Sequence, residues 1–351
     1  MNKIISEDIK DIDRFIDPKP FLNKNIVITG GSGFLPAYIV EYFLFLNQKY
    51  STQNIEVIIL VRNLSKAKVR FEKYLGNSSL KIYKHDVTEY FNYNGQIDII
   101  IHAASQASPK FFGLDPVGTL TANTIGTYNL LKLGVEKKIE SFLFFSSSEI
   151  YGSSSEFSRI NILETNYEMI DPNNVRSCYS LSKKMGENIC TSFSEQFGLN
   201  VKIVRPFHTY GPGMSLDDGR VFADFVKNVV YKENIIIKSD GKAIRSYCYI
   251  KDATISFLKV LTDGENNSPY NVGNPNETYS VSELAKLIID VAKIPGLECL
   301  INEKNSKASY LKSPVNRLVP NISKLITLGY VPITKASEGF ERTILSYHEK
   351  N

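Results

Sequence analysis

A tyrosine and a lysine are spaced so that they could carry out acid–base chemistry together. Tyr179 and Lys183 are four residues apart in the segment 176–184. Both side chains therefore project from one face of a helix that we predict to run from this segment towards Phe197. A nearby ammonium favours phenolate and lowers the pKa of a tyrosine from about 10. We therefore expect Tyr179 to act as a general base near neutral pH, with Lys183 tuning it.

A glycine-rich turn offers a site for the phosphates of a dinucleotide. The apolar run 25–29 leads into the turn 30–33, and a segment with helical spacing of apolar residues follows. Gly30 permits the sharp turn, Gly33 lets the backbone approach a pyrophosphate, and the start of the helix offers free N–H groups. Pro36 stands where a third small residue is expected; it is tolerated in a first helical turn but does not give a glycine's close packing.

Apolar runs of strand type alternate with helical segments through most of the first two-thirds of the chain. This alternation predicts an α/β fold with a Rossmann-type, doubly wound parallel sheet. The predicted strands are 25–29, 56–62, 81–87, 98–104, the run from 141 to a polar tip at 152, and 200–206, with a helix over 121–135. Ligands of such sheets bind at the carboxyl ends of the strands. We therefore expect Ser147, Ser148 and Glu149 beside a cofactor, although a serine run can also form a turn or a helix cap.

The strand ends and the two chemical motifs together predict a nicotinamide cofactor. We expect it to be bound by Gly30, Ser32, Gly33, Phe34, Leu35, Arg62, Asp86, Val87, Ala103, Ala104, Tyr179 and Lys183. An acid at the tip of the second strand would accept a hydrogen bond from the 2′-hydroxyl of NAD, whereas an arginine suits the 2′-phosphate of NADP. Arg62 stands there, with Lys66 beyond it and no acid. NADP therefore stays open beside NAD, and the alternative is that Arg62 is a solvated charge at a helix start.

Residues beyond 206 are less regular and carry scattered arginines. Arg220, Arg245 and Arg317 are expected in loops that face the open end of the sheet. Arginine suits the bidentate binding of a diphosphate, although each of the three could separately be a surface charge.

Composition excludes several other functions. The net charge of +4 over 351 residues is not concentrated in one block, which gives little reason to invoke nucleic acid. Four distant cysteines indicate buried free thiols in a reducing compartment, and neither they nor the four histidines have metal-ligand spacing. The N-terminus is no signal peptide, and no apolar run approaches about 20 residues. We therefore expect a soluble cytoplasmic protein with no metal site and no membrane partner.

From residue 24 to about 345 the chain resembles the extended short-chain dehydrogenase/reductases of the nucleotide-sugar epimerase/dehydratase type. The matching segments stand in the order of that family: 29–34, 102–104, 146–152, Tyr179-x-x-x-Lys183, 205–207, 210–212, 270–273 and 280–284. Other segments look most like UDP-glucuronate decarboxylases, namely 147–149, 176–179, 218–221 and Gly241-x-x-x-Arg245. The resemblance implies a Rossmann domain over 24–206, with return segments near 245–264. It also implies a nucleotide-sugar-binding lobe mainly over 207–351.

What the resemblance implies about mechanism follows from these positions. Tyr179 takes the proton of the sugar 4-hydroxyl while hydride leaves C4 for NAD, and Ser147 bonds the same oxygen. The 4-keto sugar then loses carbon dioxide, loses water, or receives hydride on its other face. Glu149 and Arg245 are expected to decide among these outcomes. A simpler alternative is that Glu149 caps its turn and Arg245 only holds diphosphate.

The resemblance also implies substrate contacts from Ser148, His208, Arg220 and Arg245. Dehydratases would carry an aspartate in place of Ser148, and an asparagine is common where His208 stands. A net dehydrogenase, or a cofactor-binding regulator without turnover, is the alternative from another class.

Two predictions concern how the chain assembles. The family implies a homodimer paired through helices near 113–135 and 178–197, where Leu130, Leu131 and Val135 could face either the partner or the sheet. The extension 1–23 has apolar residues at roughly helical spacing, among them Ile5, Ile9 and Ile12. It predicts a short helix over the domain or against a partner subunit.

Overall fold

The computed structural model describes residues 2–152, 160–301 and 315–348. Its strands are β1 (Asn25–Thr29), β2 (Glu56–Val61), β3 (Leu80–Lys84), β4 (Ile99–His102), β5 (Ser141–Phe145), β6 (Val201–Pro206), β7 (His208–Tyr210), β8 (Ile235–Ile237), β9 (Ile244–Tyr249), β10 (Ser268–Val272), β11 (Thr278–Ser280), β12 (Cys299–Ile301) and β13 (Arg317–Leu318). Its helices are α1 (Lys3–Ile12), α2 (Phe34–Lys49), α3 (Leu64–Arg70), α4 (Pro109–Leu114), α5 (Pro116–Lys137), α6 (Cys178–Phe197), α7 (Val221–Val230), α8 (Ile250–Asp263), α9 (Val281–Ala292), α10 (Ser323–Ile326) and α11 (Ala336–His348).

A parallel sheet of seven strands forms the centre, in the order β10-β6-β5-β4-β1-β2-β3. The six strands predicted from apolar runs are all present, and the predicted α/β fold is confirmed. The seventh strand, β10, was not predicted, because Ser268, Pro269 and Asn271 interrupt its apolar pattern. Proline is tolerated there because β10 lies at the edge of the sheet.

Successive residues of the central strands pack into two separate cores. In β1, Ile26 and Ile28 join a cluster with α2 and α8, while Val27 joins a second cluster with α5 and α6. This is the alternation expected of strands covered on both faces. Helices α5 and α6 include the two helices predicted around residues 121–135 and 176–197.

The predicted N-terminal helix is present as α1, and it is part of the main core. Ile5, Ile9 and Ile12 are buried in the same cluster as Ile26. Asp8 is fully buried and accepts hydrogen bonds from Tyr38 Oη (3.0 Å), Tyr249 Oη (2.8 Å) and Arg342 Nη2 (2.8 Å). This one carboxylate therefore ties α1 to α2, β9 and α11.

The residues after β6 build a smaller lobe over the carboxyl ends of the large sheet. Here β11, β9 and β13 form a small sheet in which β7 also pairs with β9, and β8 pairs with β12. Helix α8 and strand β10 return to the large sheet.

Three of the compositional expectations concern features that the structure describes. All four cysteines are free; Cys190 and Cys248 are buried, but Cys178 and Cys299 are only half-buried, so the prediction of four buried thiols is wrong for two of them. Within the described ranges, no helix is long and apolar enough to cross a bilayer. The same residues contain no group of three or more His, Cys, Asp or Glu that could hold a metal ion.

We expect Asp8→Ala to lower the free energy of unfolding by about 3 kcal/mol or more, because it removes a buried acceptor shared by three donors. Glu7→Ala is the matched control, since Glu7 pairs with the same Arg342 at 3.2 Å but is largely exposed. This control should cost less than about 1 kcal/mol. Chemical denaturation measures both changes, and equal losses would contradict the role of Asp8.

Candidate active site

A single large cleft runs along the carboxyl ends of the central strands and under the smaller lobe. Its volume is about 1750 Å³, larger than the 300–1,000 Å³ of an ordinary small-molecule site. Two ligands, such as a dinucleotide and a second nucleotide, would therefore fit side by side. All the predicted site residues line it: Gly30, Ser32, Gly33, Phe34, Leu35, Arg62, Asp86, Val87, Ala103, Ala104, Ser147, Ser148, Glu149, Tyr179, Lys183, His208, Arg220 and Arg245.

The glycine turn is shaped by close backbone contacts. Gly30 has φ +65°, and a Cβ there would lie 2.9 Å from the Cα of Ala104. A Cβ at Gly33 would lie 2.9 Å from the carbonyl oxygen of Gly30. Gly31, which the sequence analysis did not single out, would place a Cβ 2.7 Å from the side chain of Ile59 in β2. Gly31 therefore lets the turn pack closely against the neighbouring strand β2.

The loop after β4 is held beside this turn by a threonine. The hydroxyl of Thr29 accepts hydrogen bonds from the backbone N–H groups of Ala103 (3.2 Å) and Ala104 (3.0 Å), and it also bonds His102 Nδ1 (2.8 Å). Burial lowers the pKa of His102 to about 3, so its imidazole is neutral. These bonds fix the two alanines beside the glycine turn, where the sequence analysis expects a cofactor to lie close.

Tyr179, Ser147 and Lys183 come together where β5 meets α6. The ring of Tyr179 is stacked on Phe112, with 4.9 Å between ring centroids. Ser147 donates a hydrogen bond to the Tyr179 hydroxyl and accepts one from the Glu149 N–H at 3.1 Å. Lys183 is buried and donates to the carbonyl oxygen of Phe145 at 2.6 Å. Ser147 and Tyr179 therefore place two hydroxyls next to each other in the lining of the cleft.

The expectation that Lys183 lowers the pKa of Tyr179 is wrong for this state of the protein. Burial raises the pKa of Tyr179 to about 12, although the hydrogen bond from Ser147 acts to lower it. Burial also lowers the pKa of Lys183 to about 7, and its amine is directed at Phe145. Because desolvation favours the neutral form of both groups, Lys183 does little to stabilise the phenolate form of Tyr179.

Glu149 has a partner that the sequence analysis quoted only as part of a motif. Arg176 Nη1 lies 3.7 Å from Glu149 Oε2, and both side chains line the cleft. Arg176 begins the segment that leads into Tyr179, so an ionic contact connects the tip of β5 with the start of α6. The only sequence signal for Arg176 was its position just before the helix that carries Tyr179 and Lys183. No local spacing predicts that Arg176 pairs with Glu149.

The smaller lobe supplies a histidine and two arginines. His208 Nδ1 is buried and has no hydrogen-bond partner among the described residues. Burial, with Arg245 and Arg220 adding to it, holds the pKa of His208 well below its usual range. A neutral imidazole with an unused polar atom is suited to a hydrogen bond with a ligand.

Of the arginines predicted in loops, Arg220 lies in the turn before α7 as expected, whereas Arg245 lies in a strand. Arg245 is in β9 and donates to the backbone carbonyls of Ile244 (2.8 Å), Val315 (2.7 Å) and Asn316 (3.2 Å). Arg220 precedes α7 and donates to Ala107 O at 3.0 Å.

The expectation that Arg317 faces the open end of the sheet is wrong. It begins β13, donates to Ile160 O and to Asn161 Oδ1 (2.7 Å), and does not line the cleft. Its position follows from the pairing of β13 with β9, which the sequence analysis did not anticipate.

The sequence analysis did not predict the loop after β4 as part of the lining of the cleft. Residues 105–111 line the cleft between the two lobes. Ser108 donates to Asp218 O, and Lys110 donates to Asp217 O at 2.8 Å. These contacts join the loop after β4 to the turn that carries Arg220. No motif in the sequence marks the loop, because its role depends on contacts with residues more than a hundred positions away.

The fold and the site define a class of α/β enzymes that hold a dinucleotide on a parallel sheet beside a tyrosine–lysine pair. The model of the NAD dependent epimerase/dehydratase family matches residues 26–273. The chain is 33% identical over 319 residues to UDP-glucuronic acid decarboxylase 6 of Arabidopsis thaliana, covering 90% of this chain and 87% of the relative. The chain belongs to the NAD dependent epimerase/dehydratase family.

Solved structures agree on the fold. UDP-glucuronic acid 4-epimerase from Bacillus cereus, in complex with UDP-glucuronic acid and NAD, superposes with a TM-score of 0.75 at 21% identity, covering 93% of this chain and 100% of that one. The dTDP-glucose 4,6-dehydratase from Streptomyces venezuelae, solved with NAD, gives a TM-score of 0.75 at 20% identity, covering 93% and 97%. The open backbone at Gly30 and Gly33 and the adjoining alanines fit the dinucleotide that these proteins carry.

We expect Gly30→Ala to weaken dinucleotide binding at least about tenfold, because its Cβ would displace the backbone of Ala104. Gly76→Ala is the matched control: Gly76 also has positive φ, but nothing lies within 4 Å of an added Cβ. Backbone strain should cost each variant about 1 kcal/mol of stability, and the contact with Ala104 should cost Gly30→Ala more. Calorimetric titration with NAD and NADP measures the difference, and equal affinities for the two variants would contradict the proposed close contact.

Proposed function

We propose that this protein oxidises C4 of a nucleotide sugar with a bound nicotinamide cofactor and decarboxylates the resulting 4-keto sugar, as a UDP-glucuronate decarboxylase would. The observation that carries the proposal is the convergence of Ser147, Tyr179 and Lys183 beside the glycine turn, facing His208, Arg220 and Arg245 across one cleft. The 33% identity to a UDP-glucuronic acid decarboxylase over most of both chains supports the choice of reaction.

The first half-reaction uses the residues at the end of β5 and the start of α6. Tyr179 accepts the proton of the sugar 4-hydroxyl, and Ser147 hydrogen-bonds the same oxygen. When bound, oxidised nicotinamide supplies the hydride acceptor and a positive charge that favours phenolate. Lys183, with its pKa held near 7 by burial, can take up or release a proton close to this tyrosine at physiological pH.

The second half-reaction involves the groups that surround the C5–C6 end of the sugar. In a 4-keto glucuronate, the electron pair of the C5–C6 bond passes into an enolate as carbon dioxide leaves. A proton then adds at C5, and hydride returns to C4. Arg245 is proposed to pair with the charge of the substrate, and Glu149, held by Arg176, to position a water or the ring. The phosphates of the substrate are assigned to Arg220.

Two other reactions share the first half. In a dehydratase, Glu149 would remove the C5 proton and a second acid would protonate the departing hydroxyl, but Ser148 stands where that acid would be. In a 4-epimerase, the keto sugar turns over before hydride returns. A net dehydrogenase would instead release its reduced cofactor, giving a steady change in absorbance at 340 nm. A regulator without turnover would not need the Ser147–Tyr179 hydrogen bond.

Incubation with a panel of nucleotide sugars, read by product mass, tests the proposal. Loss of carbon dioxide from UDP-glucuronate is the expected result. Loss of water would instead indicate a dehydratase, an unchanged mass with altered sugar configuration an epimerase, and a gain or loss of two hydrogens a net oxidoreductase.

We expect Tyr179→Phe to slow turnover about 10²- to 10⁴-fold, because the phenol oxygen is the proposed proton acceptor. Binding of cofactor and substrate should change little, because the phenylalanine ring can still stack on Phe112. Tyr231→Phe, at an exposed position after α7 and outside the cleft, is the control and should be fully active. Turnover of Tyr179→Phe at the rate of the unmodified protein would mean that another group is the base.

We expect Glu149→Gln to oxidise the sugar but to stall before product forms, because the substitution removes the carboxylate proposed to act on the keto sugar. Absorbance at 340 nm should then rise on mixing with substrate and persist. Arg176→Gln breaks the same ion pair but keeps the carboxylate, so it should slow the second half-reaction without stalling it. Normal product formation by Glu149→Gln would remove Glu149 from the mechanism.

We also propose a homodimer paired through α5 and α6. Leu130 and Leu131 do not serve it, because both are buried against the sheet. Its support is a row of exposed apolar side chains at helical spacing on α5: Val117, Leu120, Ile125 and Tyr128. Light scattering at micromolar concentration should give the mass of two chains, and a single-chain mass would contradict the dimer.

The four free thiols are in keeping with a reducing compartment such as the cytoplasm.

A further inference from the structure

The dinucleotide end of the cleft carries positive side chains at the tip of β2. Val61, the last residue of β2, is buried, whereas Arg62 and Lys66 are exposed, and the latter two line the cleft. Asn63 is occupied in capping α3, because its side chain accepts a hydrogen bond from the Lys66 N–H at 2.8 Å. The strand tip therefore presents two cations and no carboxylate.

The register of the sheet places this tip beside the glycine turn. The Gly30 N–H donates to Leu60 O at 2.8 Å, and Arg62 follows two residues later. On the other side, the His85 N–H donates to Val61 O at 3.0 Å. A dinucleotide with its pyrophosphate on the turn places its adenosine ribose over this strand end.

Two carboxylates lie near Arg62, but neither stands at the β2 tip. Asp86 Oδ1 accepts from the N–H (3.0 Å) and the hydroxyl (2.8 Å) of Thr88. Asp115 accepts from Gln106 Nε2 (2.7 Å) and the Gly118 N–H (3.0 Å). The pKa of each is held below its usual value first by these hydrogen bonds and further by the charge of Arg62. Both carboxylates therefore accept hydrogen bonds from residues close to them in the sequence.

We propose that Arg62 and Lys66 form a binding site for the 2′-phosphate of the adenosine ribose, so that this chain binds NADP in preference to NAD. The 2′-phosphate carries most of two negative charges and accepts charge-assisted hydrogen bonds from a guanidinium and an ammonium. With NAD, the same cations stay in solvent at little cost and no acid accepts the 2′-hydroxyl. The preference therefore comes from added hydrogen bonds to the 2′-phosphate of NADP and not from a penalty on NAD. The proposal rests on the dinucleotide-binding part of the proposed function.

Calorimetric titration of the protein freed of bound nucleotide compares NADP with NAD, and chromatography identifies the dinucleotide released from the protein as purified. We expect NADP to bind about 10- to 100-fold more tightly than NAD, with a difference that shrinks as salt is raised. Arg62→Ala and Lys66→Ala should each weaken NADP about tenfold while changing NAD less than about twofold. Lys68→Ala, an exposed position on α3 outside the cleft, is the control and should change neither.

Other roles of Arg62 give different results. Equal weakening of NADP and NAD by Arg62→Ala would indicate stacking on adenine and would overturn the proposal. So would NAD binding as tightly as NADP to the unmodified protein, which would leave the dinucleotide-dependent function intact. Failure of both dinucleotides to bind would overturn the proposed function together with this inference.

Discussion

The catalytic geometry depends on one buried hydrogen bond between a helix and a strand. Lys183 of α6 donates to the carbonyl oxygen of Phe145, the last residue of β5. Ser147 follows two residues later, and Tyr179 lies one helical turn before Lys183. This bond therefore helps to set the distance between the Ser147 and Tyr179 hydroxyls, which we propose to contact the same sugar oxygen. Because a buried amine is costly unless its hydrogen-bonding groups are satisfied, this bond also favours one position of α6 against the sheet.

Burial favours the neutral forms of the two groups that we propose to carry out the acid–base chemistry. Desolvation raises the pKa of Tyr179 to about 12 and lowers that of Lys183 to about 7, so both groups favour their neutral forms. In a site without water, the neutral form of each group has the lower free energy. The charge of a bound ligand can then shift a proton onto or off either group. The neutral His208, held so by burial and by neighbouring arginines, follows the same rule on the substrate side.

The parts that sequence reasoning predicted are those whose signals are local. The glycine turn, the Tyr179–Lys183 spacing, the helix over the N-terminal extension and six strands of the sheet each follow from a pattern within about twenty residues. The errors concern contacts between distant segments. β10 was missed because its polar edge residues carry no strand pattern, and Arg317 was misplaced because its side chain is held by residues near position 160. The expected effect of Lys183 on Tyr179 failed because spacing on a helix says nothing about desolvation.

The contrast between local and long-range signals matches the contrast between the two proposed half-reactions. The groups that we propose for the first half-reaction lie at the end of the sheet and on α6, and their positions follow from strand register and helical spacing. Those that we propose for the second half, Glu149, Arg176, Arg220 and Arg245, are held by an ion pair and by backbone carbonyls from remote segments. On this proposal, changes in those remote segments would alter what happens to a keto sugar without disturbing its formation. One fold could then support decarboxylases, dehydratases and epimerases, because the long-range contacts of a few side chains would decide the outcome.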